Sequence, residues 1–196
     1  MRTRATPRAP GTSALIGALG DLAPVIHPQA WVAPGAVVVG KVSIGRASSI
    51  WYGAVLRADN DRIAIGEACN IQDLCCIHVD AGQPVLIESR VTVGHHATIH
   101  GAHLEAGSLI GIGAIILGGS RIGEGAIVAA GTVVLGGTDV PAGVLYAGVP
   151  GRVVRELTDH DRQRLAQGSD QYAERARRHR TVRWYDRTNG DEPGRQ

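Results

Sequence analysis

From Ile26 onward an aliphatic residue returns at every sixth position: Ile26, Val32, Val38, Ile44, Ile50 and Leu56. The phase then slips, resumes at Ile65, Ile71 and Ile77, slips again, and resumes at Ile87, Val93 and Ile99. After a third slip it runs through Leu104, Ile110, Ile116, Ile122, Val128, Val134 and Val140. A strict six-residue period matches neither the 3.6-residue stripe of an amphipathic helix nor the two-residue alternation of an ordinary strand. It predicts a solenoid of short parallel strands with one inward aliphatic residue each, joined by tight turns. Glycine often follows the aliphatic residue, at Gly45, Gly66, Gly94, Gly111 and Gly123. Three hexads close one triangular coil of about eighteen residues, so about six coils are expected from Ile26 to Val140.

The pattern changes after the solenoid. In "ELTDHDRQRLAQGSDQYAERARRHR", Thr158 with Asp161 three residues on resembles a capping box. Leu165, Tyr172 and Ala176 supply an apolar stripe, which predicts a helix from about Asp159 to about His179. The expected organisation is an N-terminal tail over 1–22, a solenoid over 23–155, a helical segment over 156–181 and a tail over 182–196. The first twenty residues are rich in Arg and lack acid, as in a transit peptide or an untidy N-terminal tail. "GAVVVGK" has the spacing of a phosphate-binding loop, but Val42 follows the Lys and Val38 is a core position, so it is read as part of the repeat.

Composition supports a β core. Gly makes up 27 of 196 residues, Phe is absent and Met occurs once, so the interior must be built from Val, Ile, Leu and Ala. A net charge of +2 gives no reason to expect a nucleic-acid partner. No apolar run is long enough to span a bilayer. Cys69, Cys75 and Cys76 form no CxxC pair and an odd total, which suits free thiols in a reducing compartment, and a cytoplasmic location is expected.

The repeat also places the polar residues. With the aliphatic positions grouped in threes, Leu56, Ile77 and Ile99 stack on the third face. The residues after them, Arg57, His78 and His100, form a column along one edge. Strands about 4.8 Å apart bring His78 and His100 within reach of one ion. Each phase slip follows a member of this column, and solenoid insertions tend to mark the functional face. His95 lies two residues past Val93, on the second face, above Asp73, and Gln72 sits beside Asp73. It should not reach an ion on His78 and His100 of its own chain, but would reach a neighbour's if three prisms packed about a threefold axis. His96 and His103 are read as bystanders.

"SSIWYGAVLRAD", "NIQDLCCIH", "VTVGHHATIHG" and "LIGIGAIIL" resemble the γ-class carbonic anhydrases. The resemblance covers roughly Val25 to His179 and implies an all-β, left-handed parallel β-helix with a C-terminal α-helix. It implies metal-dependent, reversible hydration of CO2 to bicarbonate by a metal-bound hydroxide at the interfaces of a homotrimer. The family's metal histidines match His78, His95 and His100, with His95 supplied by the adjacent subunit. Its hydroxide partner matches Gln72, and Asn70 matches a nearby polar residue. Arg57, Asp59 and Asp73 match its interface ion pairs, and Tyr146 falls near a position that is Asn or Tyr in relatives. Zinc is the expected metal, and imidazole ligands also suit iron or cobalt. Two departures imply slow turnover: Asn60 stands where the best-studied members have a catalytic glutamate, and the loop after His78 carries one acid, Asp80. The competing readings are a hexapeptide-repeat acyltransferase acting on CoA thioesters and a structural relative of low activity.

Overall fold

A computed structural model describes residues 13–184, so the first twelve residues and those after Trp184, including most of the expected C-terminal tail, lie outside it. The chain winds as a parallel β-solenoid with three faces. Face two is the simplest to follow: Trp31–Val32, Ser49–Ile50, Asn70–Ile71, Thr92–Val93, Leu109–Ile110, Ile127–Val128 and Val144–Gly148 stack in chain order. These seven layers comprise the six expected coils and a partial seventh. The strand Gly151–Glu156 then pairs antiparallel with Val144–Gly148 and ends the stack.

The aliphatic hexad positions point inward. Ile50, Leu56, Ile71, Ile77, Val93, Ile99, Ile110, Ile116 and Val128 are fully buried. β-branched residues suit these short extended segments, and each coil buries its apolar edge only against the coils above and below it. The turn glycines permit that stacking. A Cβ on Gly94 would lie 2.9 Å from the Ile110 carbonyl, and one on Gly111 2.4 Å from the Ala130 amide.

The phase slips become loops at the edge between faces three and one. The strands Val37–Ile44 and Val55–Ile65 both wrap this edge. Gly40 pairs with Ala58 and Val42 with Ile63, so Asp59, Asn60, Asp61 and Arg62 bulge out opposite Lys41 alone. One coil on, Val79 to Pro84 form the corresponding loop between Cys76–His78 and Val85–Ile87.

The helix runs Asp159–His179. Thr158 accepts from the Asp161 amide while the Asp161 carboxylate accepts from the Thr158 amide, so the capping box is closed in both directions. Its apolar stripe lies on face two, where Tyr172 and Ala176 join Trp31, Trp51 and Tyr52. The Tyr52 hydroxyl stands 2.8 Å from His179 Nδ1, and Arg180 donates to the carbonyls of Gln29 and Ala30. The helix therefore roofs the face that carries Asn70 and Gln72.

Candidate metal centre

The ladder of face three sets the column. Arg57 pairs in register with His78, and His78 with His100. All three follow an inward residue and point away from the core. His78 Nδ1 faces His100 Nε2 at 3.1 Å. The donor atoms of His78, His100 and Asp80 lie within 4.8 Å of one another, with Asp80 Oδ2 standing 3.8 Å from His100 Nδ1.

Two nitrogens bound at about 2.0–2.1 Å to a tetrahedral ion stand about 3.3 Å apart. The observed 3.1 Å meets that requirement, and both histidines are half-buried. The donor set fits a borderline-soft divalent ion such as zinc.

His95 lies on the second side of the prism, just before the corner between faces two and three. Its Nδ1 stands 2.8 Å from Asp73 Oδ2, which leaves Nε2 directed elsewhere. It is not part of the close group formed by His78, Asp80 and His100. His96 sits at the corner itself with φ of 60° and is exposed. His103 lies on face one, where its Nε2 meets Glu88.

Asp59 divides its carboxylate. Oδ2 accepts from Arg57, while Oδ1 stands 2.9 Å from His78 Nε2. Partial burial works to raise the pKa of Asp59, but the hydrogen bonds from His78 and then Arg57 outweigh it and hold the pKa below the usual value. The hexad columns place Asp73 beneath His95, and the two touch; the contact of Asp59 with His78 is not visible in the sequence. The nearness of Asp80 to His100 was missed as well. Asn60, in the bulge, reaches the Val79 carbonyl at 3.5 Å.

Asn70 and Gln72 project from face two beneath the helix and are both buried. Gln72 Nε2 donates to Asn70 Oδ1 at 3.0 Å, and Asn70 Nδ2 donates to Thr92 Oγ1 at 2.8 Å. Gln72 lines a cavity of about 560 Å³ between face two and the helix, and its Oε1 has no hydrogen-bond partner among the described residues. Tyr146 is in register with Val128 and packs in the core against Gly151, three strands beyond Val93, or about 14 Å along the axis. Within one chain the structure therefore brings together His78, His100, Asp59, Arg57 and Asp80, and separately His95 with Asp73 and Gln72 with Asn70. Tyr146 joins neither group.

The edge of the metal column is apolar on its far side. Above His100 the same outward line continues as Leu117 and Leu135, both exposed. Leu74 and Ile112 project at the corner beside His95, each more than half exposed.

Comparisons with known proteins agree with this architecture. Residues 101–136 match the model of the bacterial transferase hexapeptide family, which spans six repeats. A Methanocaldococcus jannaschii protein described as a probable carbonic anhydrase is 51% identical over 76% of this chain and 93% of its own length. The mitochondrial gamma carbonic anhydrase 1 of Arabidopsis thaliana is 40% identical over 81% of this chain, which spans 60% of that relative. Among solved structures, a hexapeptide transferase family protein from Anaplasma phagocytophilum superimposes with a TM-score of 0.81 at 32% identity, over 83% of this chain and 96% of the other. With identity at this level over most of both chains, this chain belongs to the γ-class carbonic anhydrase family of hexapeptide-repeat proteins.

Proposed function

We propose that this protein is a metal-dependent carbonic anhydrase that interconverts CO2 and bicarbonate at sites shared between the chains of a homotrimer. The observation that carries the reading is the His78–His100 pair, whose facing nitrogens are spaced for one ion. These two residues would hold zinc, or iron or cobalt in its place, together with His95 of an adjacent chain. Held by three neutral imidazoles, such an ion is a Lewis acid that makes water a nucleophile at neutral pH.

The chain's own groups supply the rest. Thr92, Asn70 and Gln72 form a hydrogen-bonded row that fixes the Gln72 amide and leaves Oε1 as a free acceptor. That oxygen orients water toward the carbon of CO2. Arg57 sits at the foot of the histidine column, where its charge favours the bicarbonate product. Tyr146, expected from the resemblance to lie near the site, is packed in the core and takes no part in this reading. The exposed Leu74, Ile112, Leu117 and Leu135 flank both half-sites and form the apolar contact between chains. The three free cysteines suit the cytoplasm.

Proton removal is the weak link. Asn60 offers no acid, and the one carboxylate beside His100 in the following loop is Asp80. Purified protein is expected to carry about one zinc-like ion per chain, lost in His78→Ala. Stopped-flow measurements on the zinc-loaded protein are expected to show hydration that is slow and rises with buffer concentration. Full metal content in His78→Ala would overturn the ligand assignment. The transferase relative motivates one competing reading, an acyltransferase, which predicts tight acyl-CoA binding by protein stripped of metal. Calorimetry with acetyl-CoA separates the two.

A further inference from the structure

The helix does not touch face two along its whole length. Between them runs the cavity of about 560 Å³, from Gln72 at one end to Leu145 and Asp161 at the other. Gln72 and Leu145 stand on strands four spacings apart, so the cavity extends about 19 Å along the axis. Spread over that length, the volume is a narrow passage and not a round pocket.

The sequence holds the passage open from both sides. On face two the outward position after the inward residue is Trp51, Gln72, Gly94, Gly111 and Ala129 in successive coils. Trp51 fills the space beneath the helix, where it meets Tyr172 and Ala176. The small residues beyond Gln72 leave that space open. Opposite them stands Gly168, in the interior of the helix. Glycine there costs about 1 kcal/mol of helix stability relative to alanine. Packing does not demand it, because a Cβ at this position would have Thr92 Oγ1, 3.9 Å away, as its nearest neighbour outside the helix. What the missing side chain leaves is room.

The walls set what can use that room. Leu109, Ile127, Leu145 and Leu165 offer no hydrogen bonds. On the floor, the amides of Gly111 and Ala129 are already bound to the carbonyls of Val128 and Tyr146. Arg164, Gln167 and Gln171 are exposed along the outer margin of the helix. At the inner end Gln72 is 5% exposed, and its Oε1 has no hydrogen-bond partner among the described residues. A water is held by about two to four polar partners, and the leucine and isoleucine walls supply none. An uncharged molecule without strong donors or acceptors gives up nothing by entering. The wall also includes Ala130, which stands in the outward column of His95, two coils on. The passage therefore runs beside the His95 half-site and ends on the amide that orients water in the proposed function.

We propose that this passage is the route by which CO2 reaches Gln72, and that Gly168 and Ala129 keep it open from roof and floor. The inference rests on the carbonic anhydrase reading and adds to it the path of the substrate and the residues that set its width.

The first test needs no substitution. Crystals of the unaltered protein, pressurised with CO2 and separately with xenon, are expected to show both gases between Leu109, Ile127 and Gly168. Ordered water in place of both gases would overturn the proposal. The second test is steady-state hydration by zinc-loaded Gly168→Leu and Ala129→Leu, whose added side chains enter the passage. In the proposed function proton removal limits kcat, whereas kcat/KM reports the encounter with CO2. Both variants are expected to lose about tenfold in kcat/KM, with zinc content and kcat at fixed buffer unchanged. Gly168→Ala adds one methyl group where there is room for it, and is expected to keep the parent kcat/KM while unfolding at a higher temperature. Parent kcat/KM in both Leu variants would mean that CO2 arrives another way. Loss of zinc along with kcat/KM would mean that these residues support the metal centre and not a route. If zinc-loaded parent protein hydrates no CO2, the carbonic anhydrase reading itself fails, and the route falls with it. Should neither Leu variant fold, the gas-pressurised crystals decide the matter.

Discussion

At the scale of single residues, the corner between faces two and three shows where backbone comfort has been given up. Its turn position is left-handed in each of the six full coils, filled by Gly35, Gly53, Leu74, His96, Gly113 and Gly131 with φ between 60° and 77°. Glycine accepts this conformation freely, and a residue with a Cβ does so at roughly 1–2 kcal/mol. The two exceptions fall on the coils that carry the histidines. Leu74 has an exposed side chain to offer a neighbouring chain, whereas His96 makes no side-chain hydrogen bond among the described residues. His96→Gly is therefore expected to leave zinc content unchanged. Thermal unfolding of the metal-free variant is expected to shift upward by a few degrees, about 2–4 °C per kcal/mol for a chain of this size. A fall in zinc content would mean that His96 belongs to the site. The neighbouring thiols are a contrast: burial pushes Cys69 up to about 11 and Cys75 up to about 12, so both are packing groups and not nucleophiles at neutral pH.

At the scale of elements, the helix is fastened by charge at one end and by aromatic packing at the other. The Asp161 carboxylate accepts from Arg155, and from the hydroxyl and amide of Thr158, and these bonds hold its pKa well below the ordinary carboxylate value. A lowered folded-state pKa stabilises above the unfolded value of about 3.9 and is lost as pH falls through that value toward the folded one. Circular dichroism between about pH 4 and pH 2 is expected to show the helix fraying before the solenoid melts, with the early step reduced in Asp161→Asn. A single transition, identical in both proteins, would mean that the cap contributes nothing. This helix was legible in the sequence because capping box and apolar stripe are both local signals, and so was the histidine column, since a six-residue period fixes strand register without reference to anything distant. Asp73 beneath His95 was legible from the same columns, but the contact of Asp59 with His78 was not. It depends on how a four-residue bulge folds, and the hexad pattern is silent where it slips. The same holds for the roof over Gln72, because an apolar stripe at Tyr172 and Ala176 says that a helix packs but not on which of three faces.

At the scale of the whole molecule, the proposed function requires one chain to carry two half-sites and no complete one. His78 and His100 stand on face three, His95 stands across the corner with its carboxylate, and exposed Leu74, Ile112, Leu117 and Leu135 run beside both. A monomer would leave this apolar edge in water and three imidazoles without a common ion; the proposed threefold ring would cover the edge and complete three sites at once. Complementation tests that arrangement. His95→Ala and His100→Ala chains are each expected to lack metal when assembled alone. After unfolding, mixing and refolding together, a His95→Ala chain still offers His78 and His100, and a His100→Ala chain still offers His95. Because the ring has a direction, about one interface in three of a mixed trimer joins the two intact halves. Zinc measured on the mixed trimers is expected to return to about one third of the parent's content, with hydration activity in proportion. If native mass spectrometry shows that the chains have mixed and zinc is still absent, all three ligands come from one chain. The faces read from the hexad period would then have been assigned wrongly, and the leucines along the edge would need another partner.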